Sequence, residues 1–262
     1  MLARHSIATR VGTFLGPVIV GAAWDLFGAW VAFASIALCG AAIIAATLVH
    51  APAAGEAAQP QPGLAVLLPR WEPHKQAILL ATIPAVAFVL CASFLRNASG
   101  GIQSSFYIVY LNGIGLSGTV IGVLVAIAEL SGVLGSLLAP SMERRLRSDR
   151  LAIACVVTSV TAIAATPLLG GFFILLMAAC VIRGIAQGMS QPLMYSILSM
   201  EVPSQQRGAS VGLRDAVVRM QSIVTPAVMG VIAETWSIEA SFYCIGAAFL
   251  LAAGALAFSR FR

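Results

Sequence analysis

Charge is scarce in this chain, and where it is missing is more informative than where it is abundant. Only 10% of the 262 residues are Asp, Glu, Lys or Arg, against 60% hydrophobic, with a mean hydropathy of +0.96. That balance excludes an ordinary soluble domain. The alternating segments of about ten residues that build a transmembrane barrel are also missing. The five cysteines (Cys39, Cys91, Cys155, Cys180 and Cys244) form no close-spaced pair and lie in apolar runs, where they read as packing residues. The three histidines (His5, His50 and His74) fall near or beyond the ends of those runs, which argues against a histidine proton relay. No run holds His, and Asp215, near the start of its run, has no second Asp to pair with, so the paired ligands or dyads of an intramembrane protease are not available and an enzyme is not expected. Neither a metal nor a cofactor is expected. The net charge of +5 is spread over the joints between runs without aromatic interleaving, which argues against nucleic acid.

What is present is a series of long apolar runs separated by short polar joints. They predict an all-α polytopic membrane bundle of about eight transmembrane helices, at 7–23, 29–49, 78–110, 118–140, 151–169, 172–200, 211–233 and 240–258. The third run is too long for one straight crossing, so it is tilted, kinked near Pro84 or loosened at Gly100-Gly101. The sequon at Asn97 falls inside it and is not expected to be glycosylated. The first run, with basic residues ahead of it, has something of a signal peptide, but Gly16-Pro17 at its centre argues against one. Thirteen of the fifteen Lys and Arg lie at the two ends, in alternate joints or at the start of the span that follows one, as Arg214 and Arg219 do after Arg207 in the joint behind the sixth. None lies in the intervening joints, and Arg96 and Arg183 lie deep within runs. That asymmetry places both termini on the cytoplasmic side of a plasma or inner membrane. The stretch 50–76, rich in Ala, Pro, Gly and Gln, reads as a cytoplasmic linker between residues 1–49 and 77–262.

The chain also repeats itself. A shift of 209 residues brings Arg10 onto Arg219, Pro17 onto Pro226, Gly21 onto Gly230, Asp25 onto Glu234 and Phe33 onto Phe242. The first two spans are thus a copy of the last two, and an offset of six spans implies a six-helix unit.

This pattern resembles the major facilitator superfamily, whose transporters join two six-helix halves through a cytoplasmic linker. Gly12-Thr-Phe-Leu-Gly16-Pro17-Val-Ile-Val20-Gly21 is similar to the GxxxGPxxGG of the family's fifth helix, with Val20 where Gly is usual. Glu143-Arg144-Arg145 resembles the second copy of its acidic-basic cytoplasmic loop, and Arg183-Gly-Ile-Ala-Gln187-Gly188 resembles the RxxxQG of its fourth helix, here in the tenth. The resemblance implies a partial major-facilitator fold: a complete C-terminal half at 77–262, preceded at 1–49 by the last two helices of an N-terminal half. The family's first four helices have no counterpart among these residues, and a truncated or mis-started product of a twelve-helix transporter is expected.

Three charges sit deep in spans: Arg96, Glu129 and Arg183. Arg183 lies about 17 Å along its helix from Phe172, close to the midplane of a core about 30 Å thick. Such groups face a cavity or pair with one another. Polar neighbours extend each into a stripe: Arg96, Gly100, Gln103 and Tyr107 on one helix, and Arg183, Gln187 and Gln191 on another. These seven residues, with Glu129 in place of Gly100, are the candidate substrate- or ion-binding set. Gly12, Gly16, Pro17, Gly21, Glu143, Arg144 and Arg145 are the candidate gating and motif positions. Two arginines against one carboxylate favour an anionic organic solute. Glu129 as a proton carrier is the other reading. The function expected is secondary transport of a small organic solute, by an exporter or a proton-linked antiporter embedded in the bilayer. A fragment without transport of its own, or a membrane assembly partner, is the alternative.

Overall fold

A computed structural model describes residues 2–50, 79–203 and 206–261, with side chains omitted at 2–11, 13, 48–50 and 261. The linker lies almost entirely outside the described residues. Among the described residues eight helical units run in order: α1 (Leu2–Phe27), α2 (Ala29–His50), α3 (Pro84–Gly113), α4 (Gly118–Glu143), α5 (Ser148–Ala164), α6 (Phe173–Glu201), α7 (Arg207–Thr235) and α8 (Ile238–Phe261). No strand occurs among the described residues. Six of the eight are long and apolar enough to cross a bilayer by themselves. The apolar part of α1, Phe14–Phe27, and α5, at 17 residues, are shorter. The fifth span differs from its expected form, because after Ala164 the chain tightens into a 3-10 turn at Thr166–Leu169.

The long third span is resolved by a local change of winding. Pro84 does not kink it, since it stands in the first turn, where its missing N–H costs nothing. The loosening comes at Gln103–Tyr107, one π turn directly after Gly100-Gly101. Such turns concentrate at functional sites, because the extra residue re-aims the side chains around it.

Two apolar cores flank a polar layer. One contains Phe88, Leu95, Val156, Leu193 and Ile197; the other contains Ile102, Leu124, Leu176, Met229 and Phe242. Along α3 and α6, the segments between these two cores carry Arg96, Ser99 and Arg183, with Gln187 at the edge of the first core. Large apolar side chains on the outside, including Trp30, Phe33, Ile223 and Leu251, are exposed, as lipid contact requires. Among the cysteines the packing reading fits Cys155 and Cys180, which are buried, but not Cys39 and Cys91, which are exposed. Their small apolar side chains are equally at home against lipid, so apolar context alone did not separate the two cases.

The most extensive helix contact is α4 with α6, followed by α1 with α4. Both are glycine seams in which backbone meets backbone. A Cβ at Gly184 would collide with the carbonyl of Ala128, one at Gly188 with the carbonyl of Gly132, and one at Gly135 with the carbonyl of Ile185. On the α1 side, a Cβ at Gly122 would strike the carbonyl of Pro17, and one at Gly21 the carbonyl of Gly118. Spacing alone also predicts close contact at Gly12 and Gly16, and there the structure differs: among the described residues nothing lies within 4 Å of an added Cβ at either. The α1 contact is made instead one helical turn further on, by Pro17 and Gly21.

The same seam is locked at its end by Asp25. Its Oδ1 accepts from the Gly118 N–H at 2.8 Å, and its Oδ2 accepts from the Thr119 N–H at 2.6 Å and the Thr119 hydroxyl at 2.5 Å. These are the first donors of α4, which no intrahelical carbonyl can satisfy, and a carboxylate there also complements the helix dipole. Asp25→Ala is therefore expected to loosen the α1–α4 pairing and lower the melting temperature. A melting curve in detergent that matches the unsubstituted protein would show that the contact carries no weight.

Candidate functional site

The site is built where α3 faces α6. Arg96 is half-buried and donates from Nε to the Ser190 hydroxyl at 2.7 Å, from Nη2 to the Gln187 carbonyl at 3.2 Å, and from Nη1 to the Asn97 side-chain oxygen at 3.2 Å. Every partner is neutral. One turn on, the Gln187 amide donates to the Ser99 hydroxyl at 2.7 Å, and Ser99 meets the Ser159 hydroxyl of α5 at 2.5 Å. Further along, Arg183 donates to the side-chain amide oxygen (Oε1) of Gln103, and its guanidinium lies 5.8 Å from the centre of the Tyr107 ring. The Tyr107 hydroxyl contacts the Cys180 sulfur at 3.2 Å. The two polar stripes thus face one another rung by rung, and the π turn aims Gln103 and Tyr107 at Arg183.

Two clefts open beside this ladder. The larger, about 660 Å³, is lined by residues of α1, α3, α4 and α6, including Pro17, Gln103, Asn112, Glu129 and Gln187. The second, about 400 Å³, is lined by Arg96, Glu129, Ser136, Gln187, Gln191 and Tyr195. Glu129 and Gln187 border both, so they stand at the divide between them. Glu129 is exposed to this space, and no ion pair reaches it among the described residues.

The structure therefore places Arg96, Gln103, Glu129, Gln187 and Gln191 on cleft walls, and Arg183 and Tyr107 behind them. Arg183 meets Gln103 and the Tyr107 ring, and no ion pair joins it to Glu129 among the described residues. Among the motif residues, Pro17 and Gly21 border the larger cleft, and Gly12 and Gly16 do not. Glu143 accepts from the hydroxyls of Ser148, at 2.6 Å, and Ser196, at 2.7 Å, tying the end of α4 to α5 and α6. Arg144 and Arg145 are exposed beside it.

Several residues were missed by sequence reasoning. Arg214, counted above with the joint after the sixth span, is 4% exposed; it donates to Ser93 at 3.1 Å, Tyr195 at 3.1 Å and Asp215 at 3.0 Å. Ser93, Ser99, Ser159 and Ser190 were missed because a lone hydroxyl in an apolar run carries no signal by itself. Asn97, set aside as a sequon, donates to the Ser93 carbonyl at 2.7 Å and shares Arg96.

These features define a polytopic helical membrane protein with a charged and amide-lined cleft between its helices. The chain belongs to the Major Facilitator Superfamily, whose sequence pattern matches residues 88–262. Over 148 residues it is 31% identical to the quinolone resistance protein NorA of Staphylococcus aureus strain MRSA252, and equally to that of strains N315 and MW2. The matched stretch covers 55% of this chain but only 37% of each relative's length.

Proposed function

We propose that this protein works in the secondary transport of a small organic solute across a plasma or inner membrane, in the direction of efflux. The observation that carries this reading is the pair of clefts meeting at Glu129 and Gln187, with Arg96 on one wall. Two charges and an amide at membrane depth are costly to keep unless something passes them. Efflux is supported by the similarity to NorA, and it suggests a quinolone, which carries a carboxylate, as the first solute to try. Both termini face the cytoplasm in this reading, with 1–49 and 77–262 as the two parts on either side of the linker.

The test is flux in proteoliposomes bearing a pH gradient, followed with a fluorescent quinolone. Gradient-dependent movement is expected with the full chain. Absence of flux from a well-folded preparation favours the non-transporting alternative. Within the same assay, Glu129→Gln is expected to abolish the dependence on the pH gradient while leaving solute binding measurable. Unchanged gradient dependence in Glu129→Gln would remove Glu129 as the proton carrier.

A further inference from the structure

Behind the wall of the larger cleft, two buried donors point at no acceptor. Arg183 is 2% exposed and Gln103 is 6% exposed. One guanidinium nitrogen of Arg183, Nη1, is used on the Gln103 side-chain oxygen, Oε1. Its other terminal nitrogen, Nη2, and the Gln103 amide nitrogen, Nε2, are both buried and have no hydrogen-bond partner among the described residues. Guanidinium and amide N–H groups only donate. The Tyr107 face eases the guanidinium charge from 5.8 Å, and the Tyr107 hydroxyl is engaged with Cys180. Among the described residues no carboxylate pairs with Arg183.

We propose that Arg183 and Gln103 form a buried anion site, which takes one small anionic acceptor: a free ion of chloride size, or a carboxylate oxygen carried in by the solute. A cation is excluded because no carboxylate faces the pair, and a neutral apolar group would leave both donors unsatisfied. Access runs through Gln103, which lines the larger cleft and begins the π turn. That turn follows Gly100-Gly101, so the amide side chain is carried by the least regular part of α3. The proposal rests on the cleft reading for its route of entry, and not on transport.

The experiment is a thermal melt of the purified full chain in non-ionic detergent at constant ionic strength, with a bulky sulfonate as reference anion and chloride or acetate exchanged in. A saturable rise in Tm on the order of 2–4 °C is expected. A rise with both ions identifies a free-anion site, and a rise with acetate alone identifies a carboxylate site for the solute. The rise should be lost in Arg183→Gln, reduced in Gln103→Leu and retained in Arg96→Gln. No rise with either ion overturns the proposal. So does a rise that Gln103→Leu keeps in full, which decides the matter even where Arg183→Gln does not fold. The melt needs no gradient, so a failed flux assay and a failed anion response are separate results.

Discussion

Gly188→Val is expected to prevent the helical bundle from assembling. A Cβ at this position would overlap the carbonyl oxygen, carbonyl carbon and Cα of Gly132, all backbone atoms of α4. Backbone cannot turn aside as a side chain can, so α4 and α6 must separate over their whole shared length. The seam has no slack elsewhere, since Gly184 and Gly135 meet carbonyls of the opposite helix in the same way. Overpacking typically costs about 1–3 kcal/mol, and the upper end or beyond applies where only rigid groups are in the way. Helix packing in a bilayer depends on such close contacts, because lipid is as apolar as the side chains it replaces. The expected readout is loss of a monodisperse peak after solubilisation, or a Tm lowered by many degrees. Gly212→Ala is the matched control: among the described residues nothing lies within 4 Å of its added Cβ, so it should be neutral or stabilise the helix by up to about 1 kcal/mol. Equal melting of Gly188→Val and the unsubstituted protein would mean that the α4–α6 seam is not close-packed.

Arg96→Lys is expected to cut solute flux by about tenfold or more while leaving the fold intact. Charge is retained, so an effect isolates geometry. The guanidinium spreads its donors over three directions, toward Ser190, the Gln187 carbonyl and Asn97, and it still borders the cleft. An ammonium is a point donor on a flexible stem and cannot hold all three while facing a solute in two-pronged fashion. Losing one charge-assisted hydrogen bond costs about 1.5–3 kcal/mol, which is the source of the tenfold figure. The flux assay with the fluorescent quinolone measures it, alongside a melt that should shift little. Full flux in Arg96→Lys would show that Arg96 serves only to hold α3 against α6.

How much of this was legible beforehand depended on the kind of signal. Long apolar runs and the alternation of basic joints announced eight helices, because hydropathy over about twenty residues averages out local noise. The stripes on α3 and α6 could be read because an arginine in lipid is too costly to be incidental. The serines beside them could not, since a hydroxyl can satisfy itself on its own helix, as Ser35 does on the Ala32 carbonyl at 2.7 Å. Arg214 was misplaced because its distance from the end of a run put it with the joints. Its burial depends on Tyr195 and Ser93, from two other helices. Gly12 and Gly16 were over-read for the opposite reason: a four-residue spacing marks a face that can approach another helix, not one that does.

The amino-acid sequence alone determined that this chain is a helical bundle made for lipid, and that three deep charges need an explanation. These follow from local composition and period, which act residue by residue whatever the surroundings. Tertiary structure decided which polar groups meet. It placed Arg183 against Gln103 rather than a carboxylate, left Glu129 facing the clefts and put Asp25 on the first turn of α4. Those pairings depend on the relative rotation and height of helices far apart in sequence. Glycine seams and one π turn set that rotation and height, and no single helix contains the information.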